Sequence, residues 1–178
     1  MTGLNQRMET ARLSLRAPRP DDADAIFAFA SDPEVTRFVG WPRHESRAAT
    51  RAFLEFSAAE WERWPAGPLV IESRDGGDVI GSTGLAFETP YRATTGYVLA
   101  KRYWGRGFAT ESLTAVLAVA EKLGVQRLFA HCHAEHAASA RVLERCGFAL
   151  EGTLRRYLVF PNLDAARAQD VLCYARVF

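Results

Sequence analysis

The segment from Val98 to Thr110, VLAKRYWGRGFAT, constrains this chain more than any other. It reads as the end of a strand, a loop with two glycines, and the start of a helix. Gly105 and Gly107 let the backbone turn tightly and let a ligand approach closely. The helix beyond them offers unpaired N–H groups and the positive end of its dipole, which suits a phosphate or pyrophosphate. Arg106 adds a positive charge. The loop lacks the Gly-Lys-Ser/Thr ending of a P-loop and does not meet the GxGxxG dinucleotide fingerprint. Without a ligand, the same pattern is a glycine-rich turn between a strand and a helix.

The rest of the chain alternates strand and helix signals, which predicts an α/β or α+β domain. Arg12–Arg16 alternates leucine with polar residues and reads as a first strand. Pro20 and Asp21 open a helix through Ala30, Pro33 breaks it, and Trp41-Pro42 ends a short second piece. A longer helix is expected from about His44 to Trp64. Leu69–Glu72, Val79–Glu88 and Gly96–Ala100 read as strands, with Asp75-Gly76-Gly77 as a turn. Leu113, Val116, Leu117 and Ala120 form an apolar stripe on a helix from about Phe108 to Leu123, and Gly124 stops it. Arg127–His133 reads as a buried strand and Glu135–Cys146 as a helix halted by Gly147. Phe148–Val159 and Val171–Val177 read as the last strands, joined by a loop over Phe160–Gln169.

With 178 residues, 48% of them hydrophobic, residues 1–178 fit one globular domain with its own core. The 22 basic and 21 acidic residues give no average charge to draw nucleic acid. The apolar stretch Ala115–Ala120 is far shorter than the ~20 residues that cross a bilayer. Three scattered cysteines make no disulfide framework, and no signal-peptide pattern opens the chain, so a cytoplasmic protein is expected. The preference for Arg over Lys, with abundant Ala, suggests a GC-rich bacterial source.

A second segment, His136 to Phe148, HAASARVLERCGF, narrows the reading. The chain resembles the GCN5-related N-acetyltransferases (GNAT), and within them the RimJ/RimL-like ribosomal-protein-alanine acetyltransferases. The family's pyrophosphate loop, Gln/Arg-x-x-Gly-x-Gly/Ala, falls on Trp104-Gly105-Arg106-Gly107-Phe108-Ala109, with Trp104 where Gln or Arg is usual. Its later motif, Asn-x-x-Ser followed by Val-Leu-x-x-x-Gly-Phe, matches Ser139, Val142, Leu143, Gly147 and Phe148, with His136 in place of Asn. The run Glu151–Arg155 and the pair Asp170 and Tyr174 also match the subgroup. The resemblance is strongest over Gly96–Tyr174.

The resemblance implies an α+β, three-layer fold with a mixed, mostly antiparallel sheet splayed between its fourth and fifth strands. Acetyl-CoA would sit in that opening as cosubstrate, without a metal. Backbone groups of Val98 and Leu99 would line pantetheine, and N–H groups from Gly105 through Arg106, Gly107, Phe108, Ala109 and Thr110 would hold the pyrophosphate. An N–H near Leu99 would stabilise the developing oxyanion. Many relatives place a Tyr where this chain has Leu143, so Ser139 is the candidate for hydrogen-bonding the leaving sulfur; it shares a helix face with His136, and both are candidates for contacting CoA. His131 lies where some relatives carry a catalytic Glu, and imidazole is a base at neutral pH. Glu151 is a further catalytic candidate; it and Arg155 either bound the acceptor pocket or pair with each other. Glu111 suits the dipole of its helix. Trp41, Phe87 and Tyr91 are candidate pocket walls.

The expected reaction is direct transfer to an amine acceptor, a protein N-terminus or a small molecule, by a monomer or homodimer. An α-amine with pKa ~7.8 costs only about half a kcal/mol to deprotonate near neutrality, whereas a lysine amine costs about 4 kcal/mol. That favours the α-amine. Three alternatives stand beside it. The cluster His131-Cys132-His133-Ala134-Glu135-His136 resembles a metal site in composition, although strand alternation turns Cys132 away from the histidines. A CoA-binding regulatory protein would keep the fold and lose the reaction. A polyamine or antibiotic acetyltransferase would need an acidic pocket, for which Glu72, Glu88, Glu135 and Glu151 are available.

Overall fold

The computed structural model describes residues 7–178. Its eight strands are β1 (Arg7–Glu9), β2 (Leu13–Arg16), β3 (Pro68–Ser73), β4 (Val79–Thr89), β5 (Arg92–Leu99), β6 (Arg127–His133), β7 (Ala149–Phe160) and β8 (Asp164–Val177). Its four helices are α1 (Ala23–Ala30), α2 (Arg47–Arg63), α3 (Phe108–Lys122) and α4 (Ala137–Arg145). The strands form one sheet in the order β1-β2-β3-β4-β5-β6-β8-β7.

Alternation along β3 sets up the two faces. Leu69 and Ile71 enter the larger core, while Val70 packs in a second cluster with Ile26, Phe29, Ala30 and Val35. The α3 stripe falls in the larger core as its spacing predicts, with Leu113, Val116 and Ala120 wholly buried. Burying each of the larger side chains is worth about 1.5–3 kcal/mol. Leu128, Ala130 and Cys132 of β6 join the same core, leaving Phe129 and His131 on the other face.

Arg16 ties the start of α1 to the sheet. Its buried guanidinium makes two 2.7 Å hydrogen bonds to Asp22 and reaches Glu72 on β3 at 2.7 Å. Asp22 also accepts from the Arg19 N–H at 2.6 Å.

All strand pairs are antiparallel except β5–β6. That parallel pair holds only over Arg92, Ala93 and Thr94, opposite Arg127, Leu128 and Phe129. Beyond Thr94 the strands part, while β5 stays paired to β4 through Leu99 and β6 to β8 through His133. These are the fourth and fifth strands of the sequence reading; the short β1, which that reading lacks, shifts the count. The result is the GNAT fold.

Two connections differ from expectation. No second helical piece precedes Trp41-Pro42; residues 34–38 form turns. The loop expected over Phe160–Gln169 shrinks to residues 161–163, because β8 begins at Asp164 and pairs Gln169 with Leu158 and Ala168 with Val159. In that turn, Asn162 accepts from the Arg43 N–H at 2.8 Å and donates to the carbonyls of Thr36 and Trp41 at 2.8 and 2.9 Å. It fastens the α1–α2 connection over the opening in the sheet.

Candidate active site

The parting of β5 and β6 creates a cleft of about 1140 Å³, walled by both strands, the 103–110 loop, α4 and the α1–α2 connection. The hydrogen-bond phase of β5 decides which backbone groups face it. Ala100 N–H donates to Ile80 O at 2.9 Å, and the β4–β5 register is regular from Gly81 to Phe87. Polar groups of an antiparallel strand alternate between its two edges, so those of Val98 go to β4 and those of Tyr97 and Leu99 face the opening. Val98 therefore does not offer its N–H and C=O to a ligand there, a correction to the sequence reading. The Leu99 carbonyl is taken by the Trp104 indole N–H at 2.7 Å, leaving the Leu99 N–H toward the cleft.

That indole bond is the role of Trp104: it holds the glycine loop against the end of β5. Gly105 and Gly107 both take left-handed backbone, at φ +70° and +79°. Gly107 caps α3 without any side-chain hydrogen bond, so the first N–H groups of the helix, at Phe108, Ala109 and Thr110, stay open for an anion. Arg106 points elsewhere than expected. Its guanidinium lies over the rings of Tyr103 and Phe108, 5.6 and 5.0 Å from their centroids, and it does not line the cleft.

Sequence reasoning missed Arg12, which braces this loop. Arg12 Nη1 donates to the Arg106 carbonyl at 2.9 Å, and its Nε donates to Glu111 at 2.7 Å. Glu111 also accepts from Thr10 Oγ1 and the Arg12 N–H, at 2.6 and 2.8 Å. Burial raises the Glu111 carboxyl, and these hydrogen bonds outweigh it, holding the group below its ordinary range. Glu111 is thus a strut between the β1–β2 turn and α3 as well as a charge at the helix dipole.

The α4 wall carries His136 and Ser139. His136 stands at the N-terminal cap of α4, its ring stacked on Phe38 with centroids 4.8 Å apart. Burial, with His133 beside it, lowers its pKa. Ser139 Oγ lies 2.8 Å from the Tyr97 hydroxyl of β5. Leu143 is buried one turn further on.

The β6 wall carries the other imidazoles. His131 lies between Phe129 and Tyr157, ring centroids 5.4 and 4.9 Å away. Burial lowers its pKa against a weaker opposing pull from Glu88, so it is neutral at pH 7. His133 Nδ1 accepts from the Glu135 N–H at 3.1 Å, which fixes the neutral proton on Nε2, a buried atom with no partner. Phe38 was not marked out by sequence, and His133 only as a member of the metal-like cluster; the two rings meet in the cleft through tertiary packing, 4.8 Å between centroids.

Several candidates lie elsewhere. Glu151 is outside the cleft, paired in two contacts with Arg127 on β6 and not with Arg155. Phe87 is stacked on Trp64, and Tyr91 is exposed outside the cleft; Trp41 does line it. None of Glu72, Glu88, Glu135 and Glu151 lines the cleft. The carboxylate that does, Glu34, is paired with Lys101 at 2.5 Å. Among the described residues, no group of three or more His, Cys, Asp or Glu is placed to hold a metal ion. No helix among them is long and apolar enough to cross a membrane.

Known proteins share this architecture. The chain is 35% identical to the uncharacterized N-acetyltransferase YoaA of Bacillus subtilis, over 85% of its own length and 87% of that protein. It superposes on the microcin C7 self-immunity acetyltransferase MccE, solved with acetyl-CoA and AMP, with a TM-score of 0.86 at 19% identity, covering 99% of each chain. It superposes on the Salmonella typhimurium acetyl transferase that modifies the N-terminal serine of ribosomal protein L7/L12 with a TM-score of 0.82 at 22% identity, covering 95% and 96% of the two chains. The family model of the acetyltransferase (GNAT) domain matches residues 12–149, a span that holds the glycine loop, both parted strands and α4. The chain belongs to the GNAT family of N-acetyltransferases.

Proposed function

We propose that acetyl-CoA lies in the β5–β6 cleft and that its acetyl group passes directly to an α-amine, at the N-terminus of a peptide or protein. One observation carries this reading: the cleft has an uncapped helix N-terminus behind a left-handed glycine loop at one end, and imidazoles with no unpaired carboxylate at the other. The loop N–H groups receive the pyrophosphate, and the Leu99 N–H is in place to polarise the thioester carbonyl. The cysteines Cys132, Cys146 and Cys173 are all pushed up by burial and offer no thiolate, in keeping with transfer without a covalent enzyme intermediate.

The acceptor half argues against polycations. A polyamine or aminoglycoside needs carboxylates to balance its charge, and among the described residues the lining offers only Glu34, already paired with Lys101. An α-amine sheds its proton cheaply near neutrality, so the neutral His131 is base enough to take it. The Salmonella protein acts on an acceptor of this kind; at 22% identity it shares the fold, and the reading rests on the chemistry of the cleft.

The test is an initial-rate survey with acetyl-CoA and two acceptor sets, unblocked tripeptides and spermidine or kanamycin. Peptides are expected to give at least a tenfold higher kcat/KM, rising with pH to a plateau near the α-amine pKa of ~7.8. His131→Gln should lower kcat on the best peptide by roughly 10–100-fold. Preference for spermidine or kanamycin would refute the α-amine reading.

A further inference from the structure

Tyr97 projects from β5, and its phenol joins α4 across the opening. The oxygen lies 2.8 Å from Ser139 Oγ and 3.0 Å from the Ser139 carbonyl oxygen. Cys132 of β6 also lies beside the Ser139 hydroxyl, as a thiol that burial keeps protonated. The carbonyl only accepts, and each hydroxyl brings one proton. Two arrangements follow. If the phenol donates to the carbonyl, the serine proton returns to the phenol oxygen and the pair is closed. If the phenol donates to Ser139 Oγ, the serine proton is free for an acceptor in the cleft.

We propose that Tyr97 is a positioning residue for acetyl transfer: its hydroxyl holds Ser139 so that the serine proton is directed at the thioester sulfur of acetyl-CoA. The inference rests on the reading of the cleft as the acetyl-CoA site. In the reaction the amine nitrogen bonds to the carbonyl carbon, the C–S bond breaks, and sulfur leaves with the electron pair. The proton released comes from the amine and passes to His131, and CoA leaves as the thiolate. The Ser139 hydroxyl supplies a hydrogen bond to the forming thiolate, which Leu143 has no group to give. Burial raises the Tyr97 phenol well above its ordinary value, against the opposing hydrogen bond from Ser139, so it keeps its proton throughout. It orients Ser139 and does not act as the acid itself.

The prediction is readable without knowing the acceptor, from the ionisation of CoA bound to the enzyme. The thiolate absorbance of bound CoA is titrated against pH in the wild type, Tyr97→Phe, Ser139→Ala and the double variant, with each protein's own titration subtracted. Each single variant is expected to raise the bound thiol pKa by about one unit, a tenfold change, and the double variant no further. Calorimetric affinity for CoA should change less than threefold in Tyr97→Phe, and Ser139→Thr should restore the wild-type thiol pKa. An unchanged thiol pKa in Tyr97→Phe overturns the proposal, as does a shift in Tyr97→Phe without one in Ser139→Ala. Failure of wild-type protein to bind CoA at all overturns the acetyl-CoA reading, an outcome distinct from binding with an unshifted thiol.

Discussion

Arg16→Met is expected to lower stability by about 3–5 kcal/mol, enough to drop Tm by roughly 10 °C in a chain of this size. The methionine replaces the volume of the aliphatic stem and leaves Asp22, itself buried, without its two-bonded partner. The pH dependence identifies the cause. In the wild type, burial raises the Asp22 carboxyl, but hydrogen bonds from Arg16 and the Arg19 N–H outweigh it and hold the group below its ordinary range. A depressed folded pKa adds stability that is fully present above the unfolded value of ~3.9 and is lost as pH falls through the folded value. In Arg16→Met the same carboxyl is buried without its cation and takes up a proton more readily. The gap between variant and wild type should therefore be widest at pH 6–8 and narrow below about pH 4. Urea unfolding across that range measures it, and a gap under about 1 kcal/mol, or one independent of pH, refutes the account.

Gly105→Asp is expected to weaken acetyl-CoA binding at least ~100-fold, or about 2.7 kcal/mol, while the protein stays folded. A Cβ at Gly105 meets nothing within 4 Å, so the cost to the fold is the strain of φ +70°, roughly 1 kcal/mol. The new carboxylate stands where the pyrophosphate is to bind and repels it. Gly107→Asp is a poorer test, because Arg12 Nη2 lies 3.4 Å from the Cβ position and would neutralise the charge. Gly105→Ala separates strain from charge and should cost only a few-fold. Gly105→Asp binding within threefold of wild type would remove the pyrophosphate from this loop.

The parts of this molecule that were legible in the sequence are those specified locally. The α3 stripe and the Gly124 stop give a helix within one residue of its observed end, and Arg127–His133 matches β6 at both ends. The glycine loop was legible because left-handed backbone leaves glycines behind. The start of β8 was not: Asp164 to Gln169 is rich in Ala and polar residues with little strand preference, and pairing with β7 makes it a strand. The same limit applies to the site. Tyr97 and Ser139 are 42 residues apart, and Arg12 reaches a loop carbonyl 94 residues away. No local pattern records either contact. Glu151 was misplaced because a residue's position along a strand does not reveal which partner two strands away will claim it; Arg127 does.

On the proposed reading, acetyl-CoA enters between β5 and β6 with its pyrophosphate on the 104–110 loop. Hydrogen exchange followed by mass spectrometry, with and without acetyl-CoA, tests it most directly. The account predicts added protection in peptides spanning 97–99 and 104–110, where the exposed N–H groups gain partners, and none at 105–110 in Gly105→Asp. Protection confined to other segments, or none at saturating acetyl-CoA, would contradict it.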